Sequence, residues 1–184
     1  MSKYYSIMMI KTIRVMLIPN NKQKTKLFQY ANTARFAYNW ALGREQENYK
    51  NGGKFISDGD LRKEFTQLKK TDEYVWLKSV SNNVTKQAIK DACIAYKNFF
   101  KGKSKYPRFK SKKKTRPSFY QDNVKIKFTN THVKFESFSS SKKRNKAKLN
   151  WVRLAEHGRV PTDIDIKYMN PRVTFDGIHW WISV

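Results

Sequence analysis

Asp163 and Asp165 stand two residues apart in a stretch, 163–168, that reads as a strand, so both carboxylates would project from one face. Such a pair could begin a divalent-metal site for phosphodiester cleavage. Two-metal chemistry needs several convergent acids, however, and no third is visible. Their surroundings are basic, and charge balance against neighbouring Lys and Arg is the better reading. The single cysteine, Cys93, excludes an internal disulfide and a zinc site built from cysteines. His132, His157 and His179 show no ligand-like spacing. No phosphate-cradling glycine loop, HExxH metal motif or nucleophile–base arrangement is present. The sequence therefore predicts no catalytic residue, no metal site and no cofactor.

What the residue types do support is polyanion binding. There are 39 Lys plus Arg against 14 Asp plus Glu, a formal net charge of +25. So much uncompensated charge repels itself unless an anionic partner is near. An anionic membrane would call for an amphipathic helix, a lipidation motif or a long apolar run, and none is found, so no membrane partner is expected. Nucleic acid remains. The densest cations are Lys101, Lys103, Lys105, Arg108, Lys110, Lys112, Lys113, Lys114 and Arg116, in a stretch without one acid. They suit phosphate neutralisation with a steep salt dependence. Tyr106 and Phe109 interrupt them and read equally as base- or sugar-stacking rings or as anchors holding a basic loop to the core. Lys142, Lys143 and Arg144 form a smaller basic run. Asn82, Lys86 and Lys90, with Lys97, fall opposite the small-residue stripe of a helix. There they could reach base edges or phosphates, or form an ordinary solvated face.

The elements that must position these groups are legible from periodicity. Residues 10–18 read as a strand, stopped by Pro19-Asn20-Asn21. Leu27, Ala31, Ala34, Tyr38 and Leu42 recur at helical spacing over 22–50, and Asn51-Gly52-Gly53 ends that helix. A second helix follows Ser57-Asp58, either of which could cap it. After an apolar link at 74–77, a third opens at Ser81 and runs to about Phe100. Beyond Pro117 the period becomes two. The sequence predicts a hairpin over 124–128 and 132–136, strands at 149–154 and 163–168, and a final hairpin, 172–175 with 179–184, around Asp176-Gly177. A lone first strand is unstable, so it must pair with the C-terminal strands. The fold class is α+β: a β-barrel or sandwich with a helical insertion after its first strand. Apolar residues at 39% and aromatics at 15% suffice for a core. The N-terminus has no signal-peptide pattern, and translation could start at Met1, Met8 or Met9. The prokaryotic cytosol, with nucleoid association, is the expected location.

Residues 95–102, Ala-Tyr-Lys-Asn-Phe-Phe-Lys-Gly, followed by Tyr106-Pro-Arg-Phe-Lys110, resemble a hallmark of the TnpB (OrfB) family, transposon-encoded proteins similar to type V CRISPR effectors. The stretches 17–20, 34–39 and 76–81 fit in the family's order. The resemblance implies a wedge-type β-barrel interrupted after its first strand by a three-helix recognition insert. Residues 8–20 would supply the first strand, 21–101 the helix-turn-helix-like insert, 102–117 a basic linker and 118–184 the rest of the barrel. It implies structured guide RNA and double-stranded DNA as partners. It also implies a RuvC nuclease half, missing here or separately encoded, so that this chain would bind without cutting. By position, Asn82 and Lys86 resemble residues that face DNA, and Tyr120, Gln121 and Asn123 are similar candidates. Two other functions stay open: a transposase-type helix-turn-helix protein that binds DNA without RNA, and a general RNA-binding accessory protein.

Overall fold

The computed structural model describes residues 10–136, 149–163 and 165–184. Strand β1 (Arg14–Ile18) runs to Pro19, and Asn20 then caps α1 (Asn21–Lys50). The Asn20 side chain accepts from the Gln23 amide at 2.9 Å, and the Gln23 side chain accepts from the Asn20 amide at 3.0 Å. This reciprocal box satisfies two orphan donors at once. The Gln23 Nε2 also donates to the Trp151 carbonyl at 2.8 Å, so the cap ties helix to sheet. With 30 residues, α1 is about 45 Å long. Its buried stripe includes Leu27, Ala31, Ala34, Tyr38 and Leu42. Gly52 takes a φ of 74° just past its end. Ser57 caps α2 (Asp58–Leu68), accepting from the Asp60 amide at 3.1 Å. A 3-10 stretch, Asp72–Ser79, leads to Ser81, which caps α3 (Asn82–Phe100).

The remaining strands are β2 (Ser118–Tyr120), β3 (Lys127–Phe128), β4 (His132–Lys134), β5 (Trp151–Leu154), β6 (Arg172–Phe175) and β7 (Trp180–Ser183). They join β1 in one antiparallel sheet of order β2-β6-β7-β1-β5-β4-β3. The first strand pairs with the C-terminal strands, Val15 opposite Ile182 and Leu17 opposite Leu154. The last hairpin turns at Asp176-Gly177, where Gly177 has a φ of 116° that only glycine adopts freely.

Three expectations need correction. The sheet is open, not a closed barrel: among the described residues no ladder joins β2 to β3. Side chains fill the gap between the two edge strands. Phe119 of β2 packs on Tyr30 of α1 at 5.3 Å and approaches Phe135 at 6.5 Å. Gln121, only 1% exposed, is oriented to accept from the amide of Glu136 at 3.0 Å and of Asp122 at 3.3 Å. The hairpin strand beginning at 124 is shorter than expected because Asp122 captures the amides of Val124 and Lys125 at 3.1 and 3.0 Å. Its carbonyl also accepts from Ile126, leaving only Lys127–Phe128 in β3. The described part of 163–168 is no strand. Ile166 donates to the Asp163 carbonyl at 3.1 Å, and Tyr168 closes a loop by donating to the Pro161 carbonyl at 2.8 Å while its ring packs 4.7 Å from Phe128.

Helices and sheet share a continuous apolar core. Two polar joints lock them. Buried Glu136 accepts from Ser81 and Asn83 at the start of α3 and from Lys125 at 2.6 Å. Arg172 of β6 grips Asp91 of α3 with two bonds, 2.7 and 3.0 Å.

Candidate nucleic-acid interface

A cleft of about 680 Å³ opens between α1, α3, the basic link, β2 and the β6–β7 turn. Its floor is apolar, with Phe28, Ala31, Val84, Ala88 and Phe119. Its walls carry Arg35, Lys110, Lys112, Lys113, Lys114, Arg116 and Arg172. The two acids present are already engaged. Asp91 is held by Arg172 and by Gln87 at 2.8 Å. Asp176 accepts from the amides of His179 and Ile178 and from the Trp181 indole, which together hold its carboxyl well below the usual carboxylate range. The net field of the cleft is therefore positive.

Neutral groups, not acids, hold the link in place. Asn39 of α1 donates to the Lys110 carbonyl at 2.9 Å and accepts from its amide at 2.8 Å, mimicking a strand partner. Pro107 is buried. The Tyr106 ring sits edge-on to Phe99 at 5.1 Å, and its hydroxyl meets that of Tyr96 at 3.0 Å. Tyr106 is thus held by one edge while 45% of it stays exposed. Phe109 is 54% exposed and lies over Gly43, which leaves its ring available to a ligand. The Lys110 ammonium rests 3.8 Å over the Tyr38 ring, and burial lowers its pKa. Ser111 turns the chain by accepting from the Lys114 and Thr115 amides, which exposes Lys112, Lys113 and Lys114. Lys101, Lys103, Lys105 and Arg108 are exposed but precede the cleft and do not line it.

Asn82, Lys86 and Lys90 are all exposed on one face of α3, outside the cleft lining. The Asn82 oxygen accepts from Lys69 at 2.9 Å. Lys69 is 8% exposed, and its other hydrogen-bond partner is the Thr85 hydroxyl at 3.1 Å. Desolvation brings its pKa down to about 8. Tyr120 lines the cleft half-buried, and its hydroxyl donates to the exposed Asn123 at 3.3 Å. Gln121 must be corrected: it is buried and bonded to backbone, so its side chain seals the sheet and faces no partner. Lys142, Lys143 and Arg144 lie outside the described residues. Sequence reasoning missed Arg35 and Arg172 as wall residues. Arg35 lay within the 34–39 phrase as a visible signal, whereas Arg172 carried none beyond its charge.

Asp163 and Asp165 are exposed on the loop described above. Among the described residues no three His, Cys, Asp or Glu side chains are grouped to hold a metal ion, and no helix is long and apolar enough to cross a membrane.

A family model described as a helix-turn-helix domain, of OrfB proteins from IS605 elements, matches residues 8–54. A protein of Escherichia coli (strain K12), provisionally named RNA-guided DNA endonuclease InsQ, is 29% identical over 143 residues, covering 78% of this chain and 36% of its own length. A Streptomyces pristinaespiralis protein, likewise provisionally named an RNA-guided DNA endonuclease, is 28% identical over 148 residues, covering 80% and 36%. Over most of its length the chain is similar to proteins of the TnpB/OrfB type. It spans about a third of the length of the curated relatives it matches. Within the range matched by the family model the chain has β1 and the unbroken α1, and α2 begins only at Asp58.

Proposed function

We propose that this chain is the nucleic-acid-binding module of a TnpB-like protein, gripping structured guide RNA and the target-adjacent duplex without cutting DNA itself. Under this reading the sheet is the wedge, residues 21–101 are the recognition insert and 102–117 are the linker. The observation that carries it is the cleft, where link cations that form no ion pair among the described residues face an apolar floor. Lys112, Lys113, Lys114 and Arg116 neutralise phosphates there, and Arg35 reaches from the opposite wall. Phosphate contacts supply affinity, and the exposed α3 face, Asn82 with Lys86 and Lys90, adds base-edge contacts. Target sequence is left to base pairing with the guide.

The test is duplex binding followed across salt concentration. Replacing Lys112, Lys113 and Lys114 by Gln should weaken binding and flatten the log–log salt slope by about 2 to 3. An unchanged slope refutes the cleft. Nucleic acid recovered with the chain from its native host should contain one discrete RNA. Tight duplex binding with no RNA would favour the helix-turn-helix alternative instead. That alternative needs a presented recognition helix and usually a dimer. Magnesium-dependent DNA cleavage by the pure chain, lost in Asp163→Ala or Asp165→Ala, would overturn the assignment as a binder alone.

A further inference from the structure

We infer that the cavity between the C-terminal turns of α1 and α3 is a binding site for a free alkylammonium, the charged end of a small amine. It is separate from the cleft and does not depend on which nucleic acid the chain binds. The cavity holds about 260 Å³. Its inner end is made by buried Glu45 of α1 and buried Tyr96 of α3. Tyr49, Phe55 and Phe100, all exposed, surround its mouth. The loop after α1 closes the remaining side. The Asn48 side chain donates to the Lys54 carbonyl at 2.6 Å, and the Asn48 carbonyl accepts from the Gly53 amide at 2.9 Å. A Cβ at Gly53 would lie 2.1 Å from the Asn48 side-chain oxygen, so only glycine lets the loop approach this closely.

Three features of this cavity favour a cation. The first is Glu45 itself, which is 2% exposed. One of its carboxylate oxygens accepts only from the Ile56 amide at 3.3 Å, and among the described residues no donor reaches the other. A buried carboxylate so poorly served is costly, and burial raises its pKa. Lys97 favours its ionised form and Glu64 opposes it, but among the described residues no cation forms an ion pair with it. The second is the rings. Tyr49 packs 5.6 Å from Phe100, and Phe100 packs 5.3 Å from Tyr96. Ring faces around a cavity attract an ammonium through their quadrupoles. The chain's own Lys97 ammonium already lies 4.9 Å over Phe55. The third is helix direction: α1 ends at Lys50 and α3 at Phe100, so both present their negative ends here. A water molecule could donate to the orphan oxygen but would leave the charge uncompensated. A hard metal ion asks for about six oxygens, more than one carboxylate and the Asn48 amide supply. An alkylammonium offers N–H donors to the acid and methylenes to the rings.

The full chain should be titrated with butylammonium chloride, with butan-1-ol as its neutral isostere and with Nα-acetyl-lysine methylamide, followed by NMR and by heats of binding. Butylammonium should give saturable amide shifts confined to residues 45–56 and 96–100, and its methylene signals should move upfield over the rings. Glu45→Gln keeps the shape of the side chain and should weaken binding about 10- to 100-fold. Tyr49→Ala, at an exposed position, should weaken it about 2- to 30-fold. Cooperative thermal unfolding and wild-type duplex affinity report an intact fold in both. Added salt screens the repulsion between the ligand and the chain's net positive charge, so butylammonium affinity should hold or rise where duplex affinity falls. The inference is overturned if butylammonium gives no saturable shift, if butan-1-ol binds as tightly, or if Glu45→Gln binds like wild type. Tighter binding of the lysine amide overturns the free amine as occupant and assigns the site to a lysyl side chain. Failure of the cleft reading is separate: there Lys112, Lys113 and Lys114 substitutions would leave duplex binding unchanged.

Discussion

Lys69 is a buried ammonium whose hydrogen-bond partners are the neutral oxygens of Asn82 and Thr85, and its pKa is brought down to about 8 from 10.5. Replacing it with Met removes the charge and keeps most of the stem. Between pH 8 and 10.5 the folded state has released this proton while the unfolded chain still holds it. Stability therefore rises with pH across that window, and below it the wild type bears the full desolvation cost. A fall from 10.5 to about 8, at about 1.4 kcal/mol per decade, corresponds to roughly 3 kcal/mol. Against this, Met leaves the buried Thr85 hydroxyl without its donor, although that hydroxyl still donates to the Asn82 carbonyl at 3.1 Å. The loss is about 1 kcal/mol. Exposed Asn82 can turn to water. Lys69→Met should thus be more stable at pH 7 by about 1 to 2 kcal/mol, raising Tm by about 3 to 6 °C for a chain of this size. The assay is thermal unfolding of both proteins from pH 6.5 to 9.5. The advantage should be constant up to about pH 8 and shrink above it. A variant less stable at pH 7, with a difference that does not change with pH, would refute the reasoning.

Gln121→Leu leaves the buried Glu136 amide without an acceptor and should cost about 1 to 3 kcal/mol in urea unfolding. A cost below 0.5 kcal/mol would show that the side chain does not close the sheet. Asn39→Ala removes both bonds that pin Lys110, so trypsin should cut within 110–116 faster while Tm falls only slightly. Arg172→Met strands the half-buried Asp91 beside the cleft. It should cost about 1 to 2 kcal/mol and weaken duplex binding more than its single charge predicts. A duplex at a hundred times its Kd should stabilise the chain by about 2.7 kcal/mol, a gain that 1 M salt should abolish.

Local signals carried most of the helices. Asn20, Ser57 and Ser81 are caps whose side chains sit next to periodic apolar runs, and each element starts where its cap does. The Asp176-Gly177 turn was equally explicit, because its chemistry is contained within four residues. What failed was one competing local turn and two non-local contacts. Val124 to Ile126 alternate like a strand, but the Asp122 carboxylate takes the amides of Val124 and Lys125, and its carbonyl takes that of Ile126. Asp163 to Tyr168 alternate as well, yet Tyr168 finds Phe128 and the Pro161 carbonyl, which no spacing rule foresees. Gln121 was a candidate reader by its position in the family resemblance alone. Only the approach of Glu136 across the sheet opening makes it a seal. Of the cleft, the link cations were legible from density alone. Arg35 and Arg172 entered it through the packing of α1 and β6.

The ion pairs show how the chain keeps its charge available. Glu47, Glu64, Asp58, Asp60 and Glu156 pair with cations of their own neighbourhoods, and Glu136 and Asp91 serve the helix–sheet joints. None of the acids among the described residues forms an ion pair with residues 101–116. A link this basic would spread away from the body if charge alone decided. It is held instead by an amide, a buried proline and ring contacts, interactions that neither consume positive charge nor weaken as salt rises. Had the same anchoring been made with Asp or Glu, the fold would have been as secure and the cleft field smaller. The choice of neutral anchors therefore separates two demands on one segment, position and potential. It leaves the cations of the link free of ion pairs among the described residues.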